Sequence, residues 1–171
     1  TTYNVRFRLG QVMSLPDHLG TFRFGFHTFQ QHITAEVADL RAMDPAAPAW
    51  QQVEWSITTA DGITGVDLAG CFTAEQDGQP LTLLWAPGKD GQHHRAWVDS
   101  VARGREDSKV VIRWNGRTIE SEDVGESPLN LPSLDRSSLV LTRMEDDGEQ
   151  AVRLLFSDPI DPDQELDGLA G

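Results

Sequence analysis

The residues with the clearest chemical potential are a cysteine and a nearby glutamine. Cys71 is the single cysteine of the chain, and Gln76 follows it by five positions. A Cys thiol and a Gln side chain can cyclise to an internal thioester through a short Cys-x-Glu-Gln turn. Here the spacing is two residues longer than that turn, so the ring would be too large. The sequence therefore predicts that Cys71 is a buried, inert thiol beside Phe72.

Histidines are the next candidates, because paired histidines often bind a metal ion. His93 and His94 are adjacent, and the other histidines are His18, His27 and His32. Adjacent residues of a strand point to opposite faces of the sheet, so His93 and His94 cannot easily share one ion. No cysteine or carboxylate lies beside them at the spacing of a zinc site. We therefore predict no metal site and expect surface or hairpin histidines.

Four acidic residues near the end of the chain have the alternating spacing of a calcium loop: Asp161, Asp163, Glu165 and Asp167. An EF-hand loop requires glycine at its sixth position and a bidentate Glu at its twelfth. Counted from Asp161, the sixth position is Leu166 and the twelfth lies beyond Gly171. Pro162 also interrupts the pattern. The segment is predicted to be a solvated acidic turn, without a metal or other cofactor.

Five tryptophans could form an aromatic platform for sugars: Trp50, Trp55, Trp85, Trp97 and Trp114. Four of them fall in segments that alternate apolar and polar residues, which favours packing in a core over ligand binding, although one Trp could be exposed. The sequence contains no Gly-x-Ser-x-Gly elbow, no phosphate-binding loop and no His-Glu-x-x-His motif. We predict no catalytic residues and a protein that is not an enzyme.

Charge and apolar content restrict the partners of the chain. The net charge is −13, from 27 acidic and 14 basic residues without a basic run. Nucleic-acid binding requires clustered Lys and Arg, so no nucleic-acid partner is predicted. No apolar run approaches the roughly 18 residues of a membrane span, so no direct membrane insertion is predicted. Hydrophobic residues make up 39%, which is enough for a packed core.

Short alternating segments separated by turn residues recur along the chain and predict about eleven strands. Val53, Trp55 and Ile57 form the clearest example, whereas the alternation of Ile63, Val66 and Leu68 is poor. Asn115-Gly116 is the strongest hairpin signal. This pattern predicts an all-β fold, an Ig-like antiparallel β-sandwich. An acidic stretch at residues 120–136 is predicted to be a linker or a long loop.

The end of the chain carries a more specific signal. Val152, Leu154 and Phe156 alternate as one face of a half-buried strand, and Ser157-Asp158-Pro159 then ends that strand. The following Ile160-Asp161 and Glu165-Leu-Asp-Gly-Leu169 complete a pattern that resembles the opening of macroglobulin-like modules in bacterial alpha-2-macroglobulins. Residues 1–28 resemble the closing strands of such a module, residues 29–119 a complete module, and residues 137–171 the opening strands of another.

The resemblance implies a piece of a large periplasmic or cell-envelope protease inhibitor. Such a protein traps a protease after cleavage of a bait segment, and its N-terminal modules serve as scaffold without bait or thioester. Its partners would be neighbouring modules, and proteases only through the full-length protein. A carbohydrate-binding or adhesin-like module of a cell-envelope protein remains the alternative, and a small β-sandwich hydrolase is a third class. We also expect the strands 22–26 and 152–156 to pack together, within one chain or between chains.

Overall fold

The computed structural model describes residues 2–9, 13–14, 16, 18, 20–27, 31–63, 65–146, 150–160 and 163. It is nearly all β, with 57% strand and 6% helix, and its antiparallel sheets pack against each other, which confirms the predicted fold class. The chain divides into two compact units, Thr1–Gln31 and His32–Gly171.

The first unit contains an antiparallel hairpin of β1 (Thr2–Phe7) and β2 (Phe22–His27). Tyr3 lies opposite Phe26, and Phe7 opposite Phe22. Because cross-strand partners point to the same side of a sheet, the alternating aromatic residues of both strands share one face.

The described residues of the second unit form ten strands and one short helix, α1 (Gly65–Ala69). Its strands are β3 (Ile33–Ala42), β4 (Trp50–Thr59), β5 (Phe72–Gln76), β6 (Gln79–Leu81), β7 (Leu84–Ala86), β8 (His93–Ala102), β9 (Ser108–Asn115), β10 (Val124–Leu131), β11 (Leu139–Asp146) and β12 (Gln150–Phe156). A 3₁₀ turn at Gly116–Ile119 follows β9.

Eight of these strands build a sandwich of two four-stranded antiparallel sheets. One sheet has the order β3-β4-β8-β7 and the other the order β10-β9-β5-β6. If β3 to β10 are lettered A, B, C, C′, D, E, F and G, the sheets become A-B-E-D and G-F-C-C′. This is the arrangement of immunoglobulin-like domains, with one added strand C′. Strands β11 and β12 form a separate hairpin within the same unit.

The core lies between the two sheets and comes from alternate residues of each strand. In β4, Val53, Trp55 and Ile57 are fully buried, whereas the residues between them are only half-buried. The opposite sheet contributes Ile112 and Leu131, which are also fully buried. Leu155 of β12 joins this core, so the β11–β12 hairpin packs on the sandwich through one of its faces.

Two segments differ from the sequence-based expectation. The stretch predicted as a linker, residues 120–136, contains β10, which pairs along its whole length with β9. The poorly alternating segment after Asp61 forms α1 instead of a strand, and Leu68 of this helix is fully buried. In addition, residues 137–160 belong to the same compact unit as the sandwich.

The strands expected to pack with each other, residues 22–26 and 152–156, lie in separate two-stranded sheets. The first strand pairs with β1 and the second with β11. Each hairpin has exposed apolar residues on one of its faces.

Candidate functional site

The most unusual polar site in the described part of the chain is a buried arginine at the end of β8. Arg103 follows that strand directly, and its backbone N–H donates to the carbonyl of Ala49 at 2.8 Å. This bond continues the pairing of β4 with β8 by one residue beyond Trp50 and Ala102. The side chain of Arg103 has no exposed surface. A buried guanidinium is costly unless its donors are satisfied, so its partners determine what this site does.

Every N–H of the Arg103 guanidinium has an acceptor. They donate to the backbone oxygens of Pro132 (3.1 Å), Ser133 (2.8 Å), Arg136 (3.2 Å) and Ser157 (2.9 Å), and to the carboxylate of Asp158 at 2.7 and 3.3 Å. The acceptors come from two segments, the loop after β10 and the turn after β12. One side chain therefore joins three distant parts of the sequence, and no donor of this arginine remains for a ligand.

Ser157 has partners for each of its polar groups. Its carbonyl also accepts from Nε2 of Gln51 at 2.5 Å, and its N–H donates to the carbonyl of Ser138 at 2.9 Å. Its hydroxyl donates to Asp158 at 2.8 Å and accepts from the N–H of Ser138 at 3.0 Å. The residue is 1% exposed. The strand-ending Ser-Asp-Pro turn is thus fixed to the sandwich.

The carboxylate of Asp158 feels two opposing influences. Burial by itself raises the pKa of Asp158, but hydrogen bonds from the Arg103 guanidinium and the Ser157 hydroxyl, together with the arginine charge, outweigh that effect. The pKa of Asp158 therefore lies below its ordinary value. The ion pair of Arg103 and Asp158 therefore has a structural role. We call the cluster of Arg103, Ser157 and Asp158 the Arg103 clamp.

The candidate thioester residues are each engaged elsewhere. Gln76 clamps the end of β8: its Nε2 donates to the carbonyl of Ala102 at 2.6 Å, and its Oε1 accepts from the N–H of Ala102 at 3.1 Å. Cys71 is 5% exposed, and its Sγ lies 3.9 Å from the carbonyl oxygen of Asp67. Burial raises the pKa of the Cys71 thiol, which disfavours the reactive thiolate.

We expect Cys71 to react with a thiol reagent at pH 8 more than about tenfold slower in the folded chain than in denaturant, since reaction requires local opening. A matched control is Thr73→Cys in a Cys71→Ala background, because Thr73 is exposed on β5. The control thiol is expected to react at the denatured rate. Equal rates for the two thiols would contradict the burial argument, and a mass loss of ammonia would indicate a thioester.

The three histidines of the second unit have separate partners. His93 is exposed and its Nδ1 lies 2.6 Å from Asp90, whose pKa is held well below its ordinary value chiefly by hydrogen bonds from His93. His94 is buried, accepts from the N–H of Gly88 and lies 3.0 Å from the carbonyl of Gly91 through Nε2. His32 lies 3.2 Å from Asp123. Among the described residues, no group of three His, Cys, Asp or Glu side chains could hold a metal ion.

The remaining sequence candidates are distributed as follows. Of the acidic residues near the end, only Asp163 lies within the described residues. Trp55 is fully buried, and Trp85 and Trp114 pack on Phe72 with ring centroids 5.4 and 6.1 Å away. Trp50 is 55% exposed at the start of β4. Core packing thus accounts for Trp55, Trp85 and Trp114, while Trp50 is the exposed one.

Sequence reasoning missed the Arg103 clamp. An isolated arginine after an apolar strand gives no local signal, and its partners are up to 55 positions away. The sequence predicts a strand end at Ser157-Asp158-Pro159, but it does not predict that this turn accepts hydrogen bonds from an arginine.

Among the residues that the structure describes, the helices are not long and apolar enough to span a membrane.

The fold and this site define an immunoglobulin-like β-sandwich whose most elaborate polar cluster is structural. No family model, curated protein or solved structure matches this chain.

Proposed function

We propose that this chain is a non-catalytic scaffold segment of a bacterial alpha-2-macroglobulin-like protease inhibitor. The observation that carries the proposal is the Arg103 clamp. Phe156-Ser157-Asp158-Pro159, the segment with the most specific resemblance to that family, is also the segment that the buried guanidinium fixes to the sandwich. A segment held this way leaves the sandwich in one defined direction.

A defined exit direction suits a scaffold better than a flexible tether. A trap that closes around a protease needs modules whose relative positions are transmitted through rigid junctions, whereas linkers of independent domains are exposed and polar. Here Ser157, the first residue of the turn after β12, is 1% exposed, and Asp158 is half-buried beside Arg103. In this proposal the chain works in the periplasm or cell envelope, its direct partners are neighbouring modules, and proteases are bound only by the whole protein.

The first test is a titration of the 171-residue chain against several unrelated proteases, with a small peptide and a large protein as substrates. The chain alone is expected to leave both cleavage rates unchanged, because shielding requires a bait and an enclosing shell. A matched control is a cleavable protein of equal size, which lowers rates only by competition. Stoichiometric protection of the large substrate by this chain would overturn the scaffold assignment.

A carbohydrate-binding or adhesin-like role is the second candidate, and one observation favours it. Trp50 and the half-buried Trp97 occupy outward positions of the same sheet, since Trp50 pairs with Ala102 and Trp97 with Glu54. Beside Trp97 on this side of the sheet, Arg95 and Glu54 form an ion pair at 2.6 Å. An oligosaccharide that quenches tryptophan fluorescence, and fails to do so after Trp50→Ala, would favour this role over the scaffold.

A further inference from the structure

The β1–β2 hairpin has one entirely apolar face, which we call the aromatic face. It consists of Tyr3, Val5, Phe7, Phe22, Phe24 and Phe26. Its five aromatic side chains are 40–56% exposed and stack on one another, with Tyr3 and Phe26 5.3 Å apart and Phe7 and Phe24 6.0 Å apart. A two-stranded sheet is marginal in water unless its apolar face is packed. The face therefore has the properties of a docking surface.

A second hairpin offers a face of matching size. On β11 and β12, Met144 lies opposite Val152, and Leu154 lies opposite Thr142. Met144, Val152 and Leu154 are 69%, 56% and 50% exposed, whereas the neighbouring Leu155 is buried against the sandwich. We call the outward side of this hairpin the aliphatic face. Each face is two strands wide, and these strands are six to eight residues long.

The two segments of the sequence that carry these faces have net charges of opposite sign. Residues 1–31 contain three arginines and one aspartate, a net charge of +2 in a chain of −13. Residues 137–171 contain nine carboxylates and two arginines, a net charge of −7. Two aromatic faces would bring like charges together, and so would two aliphatic faces. Pairing of the aromatic face with the aliphatic face brings opposite charges together, which favours that encounter.

We propose that the aromatic face of one copy of this chain docks on the aliphatic face of a second copy. The contact is heterologous, so each copy retains one free face, and the association extends head to tail or closes into a ring. Two faces of this size bury less than the roughly 1,200 Å² of a stable interface, so the association is weak and depends on concentration. The proposal is independent of the protease-trap assignment.

Complementation between two variants tests the proposal. The first variant carries Phe22→Ser, Phe24→Ser and Phe26→Ser and keeps only the aliphatic face. The second carries Met144→Ser, Val152→Thr and Leu154→Thr and keeps only the aromatic face. Sedimentation is measured from about 10 μM to about 1 mM, the range in which small interfaces associate. All five tryptophans lie in the second unit, so their fluorescence reports its fold in both variants.

The unchanged chain is expected to gain mass with concentration and to lose that gain at high salt. Each variant alone is expected to remain a monomer, and an equimolar mixture of the two is expected to form a dimer and nothing larger. Asn4→Ser and Ala151→Ser, on the opposite faces of the two hairpins, are the matched controls and should associate like the unchanged chain. A monomeric unchanged chain at about 1 mM, self-association of either variant, or a mixture that stays monomeric would overturn the proposal.

Discussion

Replacing Arg103 by alanine is expected to lower the free energy of unfolding by about 3–5 kcal/mol. The substitution removes a fully buried guanidinium and takes a donor from the Asp158 carboxylate and from four backbone carbonyls. Asp158 keeps the Ser157 hydroxyl as a donor, and the Ser157 carbonyl keeps Gln51. The cost comes mainly from these buried acceptors, because an unsatisfied polar group keeps its full desolvation penalty. Urea unfolding followed by far-UV circular dichroism measures the loss.

Arg136→Ala is the matched control for this prediction. Arg136 also pairs with an aspartate, Asp107, at 2.7 Å, but both side chains are 60% exposed. Exposed ion pairs contribute about 0.2–1 kcal/mol, so the control should change stability little. Similar losses for Arg103→Ala and Arg136→Ala would contradict the clamp.

The clamp also gives a pH dependence with a defined sign. Because the pKa of Asp158 is lowered in the folded chain, its contribution to stability is present above the ordinary carboxyl pKa of about 4 and is lost as the pH falls through the lower, folded value. After Arg103→Ala the hydrogen bonds and charge of the guanidinium are gone, while the Ser157 hydroxyl still donates to Asp158, so this part of the acid dependence should become smaller.

The second large effect is expected at Trp55, where alanine should cost about 3–5 kcal/mol. Trp55 has no exposed surface, is the largest fully buried side chain and lies at the centre of β4. Its indole N–H has no partner among the described residues. Trp55→Phe removes that desolvated donor and leaves a smaller cavity, so it should cost less than Trp55→Ala.

Trp50→Ala is the control, since Trp50 lies in the same strand but is 55% exposed. Its effect should stay within about 0.5 kcal/mol. Unfolding followed by far-UV circular dichroism avoids the altered fluorescence of these variants. Equal losses for the two alanine variants would mean that the core is not organised around β4.

Strands whose inward residues are apolar could be predicted from the sequence. The strand β10 was not predicted, because a side chain of the neighbouring strand β9 fills part of the core space on its inward side. In β4, Val53, Trp55 and Ile57 supply their own core contacts, so the alternation is visible. In β10 the position opposite Trp114 is Gly125. A Cβ built there would lie 2.2 Å from the Trp114 ring, so this ring occupies the space that an apolar side chain of β10 would use. The sequence of β10 therefore resembles that of a polar linker.

Pro128 is a second feature of β10 that is more typical of a loop than of a strand. Proline is excluded from central strands because it has no N–H, yet β10 lies at the edge of its sheet, where one side of the strand needs no donor. The helix α1 was not predicted for a different reason. It is a single short turn between strands, too short for a helical period to appear in the sequence.

The Arg103 clamp could not be predicted from the sequence, because every hydrogen bond of its guanidinium joins residues that are 29 to 55 positions apart. Arg103 and Ser157 are 54 positions apart, and Gln51 and Ser157 are 106 apart. Only the packed sandwich brings these residues together. The sequence did place a strand end at Ser157-Asp158-Pro159, but the buried arginine that holds this turn carries no signature of its own.

The most direct test of the scaffold assignment uses the protein encoded by the whole reading frame that contains residues 1–171. A protease is incubated with that protein, with its Arg103→Ala variant, or with the 171-residue chain, and cleavage of a small peptide and of a large protein is compared. We expect the whole protein to suppress cleavage of the large substrate only, Arg103→Ala to weaken that suppression, and the 171-residue chain to have no effect. Unchanged cleavage of the large substrate by a protease saturated with the whole protein would contradict the account.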